Sequence, residues 1–178
     1  MAYEAVNRAP MSSTALQFDE ETYDLRHNNN SNELESTDIQ IAVPSRDHAL
    51  HLVNTVQFHL GQLFHLYEED TFMEKLNEFY RSPQREPPNN DLWFVQFLLI
   101  MAFGKALFSK STGDKRAPGA QFFNKAMVLL PSIFILTRDP ALGTEILCNA
   151  ALYLHCFDHR MSAYNYVSVP FGGARLQP

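Results

Sequence analysis

The sequence predicts an all-α fold, a bundle or array of about five to six helices after a disordered N-terminal leader. Three observations lead there. From Ala49 onward apolar residues recur at helical spacing, which gathers them on one stripe of a helix. The segment Leu92 to Phe108 is apolar nearly all round, the pattern of a helix at the centre of a bundle. No run alternates apolar and polar with the period of a strand, and no Asn-Gly or Asp-Gly pair separates two β-type runs.

Residues 1–43 are rich in Asn, Ser, Asp and Glu and include the polar run His27-Asn28-Asn29-Asn30-Ser31-Asn32. Such a composition buries too little to offset the entropy of ordering, so a disordered acidic leader is expected. Leu16, Phe18, Tyr23 and Leu25 stand among its acids, as in some activation segments and equally in a plain solvated linker. Pro44-Ser45 opens the first helix, whose stripe is Ala49, Leu52, Val53, Val56, Leu60, Leu63, Phe64 and Tyr67. Thr71 and Glu74 have capping-box spacing for a second helix ending near Tyr80, with Phe72, Leu76, Phe79 and Tyr80 inward.

Three prolines between Ser82 and Asn90 mark a loop, and Asn90 or Asp91 caps the third helix. A further loop, Lys110 to Pro118, leads to a fourth helix from Ala120 to about Leu130, with Phe122, Phe123, Ala126, Met127 and Leu130 as its core side. Pro131 ends or kinks it. Asp139-Pro140 then supplies an N-cap and a proline at the first helical position, where the missing N–H costs nothing. That fifth helix runs to about Phe157, and a stub of a sixth follows Asp158. From Ser168 onward two glycines and two prolines in eleven residues predict an irregular tail.

The chain has 178 residues, 46% of them hydrophobic and 12% aromatic, enough for one medium domain with a real core. Its formal net charge is −6. The first 44 residues carry eight acidic and two basic side chains, and the remainder balances at twelve of each sign. The helical body is therefore neutral. Lys105, Lys110, Lys115 and Arg116 are the nearest approach to a basic patch, too sparse to follow a phosphate backbone. Cys148 and Cys156 lie eight residues apart in one predicted helix, about 12 Å along its axis, too far to pair. Reduced thiols and a soluble intracellular protein are expected. No signal-peptide pattern opens the chain, and the densest apolar run is short for a bilayer span, so no membrane is involved.

Candidate sites are weak. His155 and His159 have the i, i+4 spacing that lets two imidazoles share a zinc ion. Cys148 shares their face but lies about 10 Å from His155 along the axis, the Glu of a metalloprotease helix is absent, and Asp158 reads as a break between helices. His48 and His51 fare no better. Glu68-Glu69-Asp70 is read as a solvated turn that supplies negative charge to the next helix. Ser111 to Lys115 has no phosphate-binding mechanism, and no nucleophile elbow or phosphate-binding glycine loop occurs. No catalytic, cofactor-binding or metal-ligating residue is assigned, and the chain is not expected to be an enzyme.

Several segments, in order, resemble the fungal-specific transcription factor domain, the middle homology region of zinc binuclear cluster regulators. They are Pro44 to Val53; Glu69-Asp70-Thr71-Phe72 with Phe79-Tyr80; Asp91 to Gly104; Gly119 to Ala126; and Leu152-Tyr153-Leu154 with Asp158 to Tyr164. The resemblance implies a nuclear regulator of RNA polymerase II genes in a fungus, in which a six-cysteine, two-zinc cluster reads DNA and this helical domain modulates activity. Two cysteines cannot build that cluster, so DNA and zinc binding are implied only for full-length relatives. Residues 44–167 are then a partial regulatory domain, and the departure from the family at residues 168–178 suggests a truncated one. Half a domain would leave an apolar face uncovered, chiefly on the helix containing Leu142, Ile146 and Tyr153. The partners implied are proteins of the transcription machinery or a second copy. Two other readings stand beside this one. One is a self-standing ligand- or partner-binding module, its pocket lined by Trp93, Phe94, Phe97, Phe103, Phe108, Phe122 and Phe123. The other is a metal-dependent enzyme using His155 and His159.

Overall fold

A computed structural model of the chain describes residues 41–82, 91–108 and 117–172. These residues form seven helices: α1 (Arg46–His59), α2 (Glu69–Arg81), α3 (Leu92–Phe108), α4 (Ala120–Leu129), α5 (Ile133–Leu136), α6 (Pro140–Cys156) and α7 (Arg160–Gly172). No strand occurs among the described residues, and the all-α expectation holds. Most of the expected leader, the two proline- and lysine-containing loops and the last residues of the tail lie outside the described residues. The leader's last residues do not: Ile41 and Val43 pack against the core, and the Tyr80 hydroxyl donates to the Pro44 carbonyl at 2.8 Å.

The core is built around α3. Every residue from Trp93 to Gly104 is buried, as a helix apolar on all sides requires. It packs against α1, α4 and α6, and α6 in turn carries α5 and α7. Burying each large apolar side chain fully contributes about 1.5–3 kcal/mol, and α3 alone supplies Phe97, Leu98, Leu99, Ile100 and Met101 at 1% exposure or less. Gly104 sets the distance to α1, since a Cβ there would meet the Leu52 Cβ at 2.7 Å and its Cα at 3.3 Å. Gly119 begins α4 in the left-handed region, φ 84°, and a Cβ there would run into the Ala102 carbonyl oxygen. Only glycine satisfies both demands.

Two aromatic clusters complete the body. Phe79 on α2 lies 5.6–5.8 Å from Trp93, Phe94 and Phe97, so α2 is held to α3 through long rings. Tyr153 stacks on Phe123 at 4.6 Å, meets Phe103 edge-on at 5.6 Å, and donates its hydroxyl to the Pro118 carbonyl at 2.7 Å. One side chain on α6 thereby ties down α3, α4 and the segment entering α4.

Helix ends agree with the sequence at the start of α1, where Ser45 Oγ accepts from His48 N, and at the start of α3, where Asp91 Oδ1 accepts from Trp93 N. They agree again at α6 and differ at the end of α1 and the start of α2. The Asp139 side chain accepts from Leu142 N at 3.1 Å with Pro140 at the first helical position. At the other end Asp158 takes φ 64°, and the amides of Asp158 and His159 donate to the carbonyls of His155 and Leu154 at 3.2 and 2.9 Å. This is a Schellman motif with aspartate in the position that glycine usually holds. By contrast, α1 ends at His59 rather than near Tyr67. Leu63 and Phe64 stay exposed while the non-helical Leu66 and Tyr67 enter the core, so the apolar stripe is completed by the crossing chain rather than by a longer helix. The capping box at Thr71 is also absent: Glu68 occupies the N-cap without a side-chain bond, and Glu69 and Asp70 place negative charge in the first turn.

Two further expectations are corrected. The backbone of α7 continues through Ser168 to Gly172. Pro170 removes one amide donor near the end of the helix, so the bond it costs interrupts only the last turn. The helix containing Leu142, Ile146 and Tyr153 is not uncovered: Ile146 and Tyr153 are fully buried and Leu142 is partly buried, because α3 covers one side of α6 and α7 another.

Gly104→Ala is expected to destabilise the protein by about 1–3 kcal/mol despite alanine's better helix propensity, since Leu52 presents backbone-proximal atoms that cannot swing away. A chemical-denaturation midpoint measures this. Alkaline stability gives a second check. Burial, with the Glu69 carboxylate adding to it, pushes the Tyr67 hydroxyl up to about 12, and burial also raises Tyr153 and Tyr166. The folded state holds these protons longer than the unfolded chain, whose tyrosines ionise near 10. Stability is therefore full below pH about 10 and falls as pH rises toward about 12. Tyr67→Phe should flatten that decline in a pH series of melting curves.

Candidate functional site

Residues 60–68 leave α1 and cross toward α6, and this crossing meets both buried polar side chains among the described residues, Gln96 and Asn149. Its centre is the Leu66 carbonyl. A buried carbonyl without a donor costs about 1–3 kcal/mol, and two side-chain amides supply donors here. Gln96, 2% exposed on otherwise apolar α3, donates from Nε2 at 3.2 Å, and Asn149, 1% exposed on α6, donates from Nδ2 at 2.7 Å. Gln96 Nε2 also donates to Glu145 Oε2 at 2.7 Å, and Glu145 Oε1 faces His65 Nε2 at 3.1 Å. Glu145 and Asn149 are one turn apart on α6, so a single helix face presents both to the crossing chain. The His65 end is 65% exposed and adds little to stability.

Against this polar floor lies a groove of about 500 Å³ between the crossing chain, α6 and α7. Phe64, Leu66, Ala151, Leu152, Ala163 and Tyr164 make its walls mostly apolar, and Asn149 lies among them. His65, His155 and Arg160 stand at the same groove. The Arg160 Nε donates to Asp158 Oδ1 at 2.7 Å, which holds the guanidinium near the start of α7. The volume falls within the range of small-molecule pockets. Asn149 Oδ1 is buried and has no hydrogen-bond partner, the one unsatisfied polar atom at this groove among the described residues.

The histidines of the sequence analysis are separated by the fold. His155 lies in the last turn of α6, while His159 follows the left-handed Asp158, so the i, i+4 relation of one continuous helix is lost. Among the described residues no group of three or more His, Cys, Asp or Glu side chains could hold a metal ion. Cys148 and Cys156 are both free thiols, and burial pushes the Cys156 thiol up, away from reactive thiolate character. His48 Nε2 lies 3.1 Å from Lys105 Nζ, and His51 lies 4.8 Å from the Phe108 ring. Lys105 thus faces α1, and Lys110, Lys115, Arg116 and the Ser111–Lys115 stretch lie outside the described residues. The acids at 68–70 cap and begin α2.

The aromatic residues proposed as a pocket are core instead. Trp93, Phe94, Phe97, Phe103, Phe122 and Phe123 are each buried to 6% exposure or less, and Phe108 is half-exposed. Rings that long fill the space between helices better than they enclose a void. Sequence reasoning missed Gln96, Glu145 and Asn149 as a group. The available signal was a glutamine inside an apolar helix and an asparagine inside another, two residues that such positions disfavour unless bonded. No protein-family model, curated protein or solved structure matches this chain.

Because Gln96 and Asn149 share one acceptor, their loss should not add. Gln96→Leu and Asn149→Leu each leave the Leu66 carbonyl one donor, and the double variant leaves none. Denaturation of the four proteins in a double-mutant cycle should show an extra loss of about 1 kcal/mol or more in the double variant. Simple additivity would exclude a shared role.

Proposed function

We propose that this helical body is the regulatory part of a fungal transcriptional regulator, of the kind found in the middle homology region of zinc binuclear cluster proteins. In this reading it acts in the nucleus and modulates transcription by RNA polymerase II through contacts with proteins of the transcription machinery or with a second copy. DNA reading and zinc binding belong to a different domain of full-length relatives, and no residue of this chain takes those roles. The reading is carried by the order of the sequence segments that resemble the family. Those segments supply α1, α2, α3, the first part of α4 and the α6–α7 corner, and their apolar residues Leu52, Phe72, Phe97, Phe122, Tyr153 and Ala163 belong to a single core.

A second reading, a ligand- or partner-binding module, is favoured by the groove beside Asn149. The two are compatible, since a regulatory body needs a surface on which an effector can act. A metal-dependent enzyme at His155 and His159 draws no support from the geometry around Asp158.

The full chain fused to a heterologous DNA-binding domain, expressed in a fungal cell with a matching reporter, tests the transcriptional reading. The fusion is expected to enter the nucleus and change reporter output several-fold relative to the DNA-binding domain alone. Gly119→Val, which forces a Cβ into the Ala102 carbonyl, should return output to baseline. A folded fusion that leaves the reporter unchanged would count against the proposal.

A further inference from the structure

Asn149 is fixed in one orientation. Its Nδ2 donates to the Leu66 carbonyl at 2.7 Å, and turning the amide over would set two oxygens face to face. Oδ1 is therefore the atom left over: a buried acceptor without a donor, on a residue that lines the groove. Such an atom is costly unless something donates to it. The donors of the polar floor are already engaged, with Gln96 Nε2 serving Leu66 and Glu145, and His65 Nε2 facing Glu145. The groove next to it has the size of a small-molecule site and mostly apolar walls.

We propose that this groove binds a neutral, largely apolar molecule whose hydroxyl group donates to Asn149 Oδ1. Charge at the site selects against ionic donors and anchors. An ammonium group would meet the Arg160 guanidinium at the same groove. A carboxylate reaching the floor would meet Asn149 Oδ1 and the Glu145 carboxylate one turn away on α6. A hydroxyl satisfies the acceptor without either conflict. Entry is possible because the rings at the mouth are not locked: Phe64 is 44% exposed and Tyr164 67% exposed. Because Oδ1 itself is buried, binding in this proposal requires the groove wall to give way beside it. The inference goes beyond the transcriptional reading and does not depend on it.

The test uses the purified full chain and two probes of nearly the same shape, β-naphthol and its methyl ether, which lacks the donor. Probe fluorescence titrations should give saturable binding of β-naphthol, with the ether weaker by about tenfold or more, the effect of one lost hydrogen bond to a buried acceptor. Leu152→Trp, which fills the groove from a partly buried position, should weaken both probes at an unchanged melting temperature. Asn149→Leu should abolish the preference for the alcohol. If that variant fails to fold, the wild-type comparison and Leu152→Trp decide the question alone. Equal affinity for alcohol and ether, binding weaker than about 1 mM, or binding indifferent to Leu152→Trp would each overturn the proposal. None of these outcomes alters the reporter result, so the two readings fail separately.

Discussion

The Leu66 carbonyl is the point on which the arrangement of the helices depends. It is carried into the interior by a stretch of chain that has left α1 and not yet begun α2. A non-helical backbone group at that depth must find donors from elsewhere. They come from two different helices, Gln96 on α3 and Asn149 on α6, so one oxygen sets how the crossing chain sits against both. The same demand explains a glutamine in the middle of an otherwise apolar helix and the end of α1 before its apolar stripe ends.

Around that polar point the rest is close packing. The spacing of α1 and α3 follows from the missing side chain at Gly104, and the start of α4 follows from the left-handed Gly119 against Ala102. Tyr153 joins three parts of the body with two ring contacts and one hydroxyl bond. The aromatic fraction that suggested a ligand pocket is spent on these interhelical contacts. The groove forms at the edge of the core, where smaller side chains such as Ala151 and Ala163 leave room between α6 and α7.

That edge position is compatible with the regulatory role proposed above. A ligand there would touch the crossing chain, α6 and α7 together and would be felt through Asn149 by the carbonyl that also engages α3. Binding at such a point would stabilise the packed arrangement by mass action, and the polar floor joins it to the central helix through Gln96.

The helix content and the central place of α3 were legible in the sequence, because a segment apolar on all sides has no stable position but the middle of a bundle. The Asp139-Pro140 start of α6 and the break at Asp158 were legible too, since caps are local chemistry within a few residues. The end of α1 was not. Its apolar period continues to Tyr67, whereas the helix ends at His59 and the chain beyond it is held by tertiary contacts of Leu66 and Tyr67. The coverage of Ile146 and Tyr153 was likewise invisible to local reasoning, because it depends on α3 and α7 packing against different sides of α6. Gln96, Glu145 and Asn149 were each visible as polar residues in the sequence. Yet the convergence of Gln96 and Asn149 on one carbonyl joins positions 30 and 83 residues from Leu66, with Glu145 held by Gln96 beside them. Local periodicity and capping chemistry determine which segments become helices. Which buried polar groups meet, and where a groove is left between them, is decided only when the chain closes on itself.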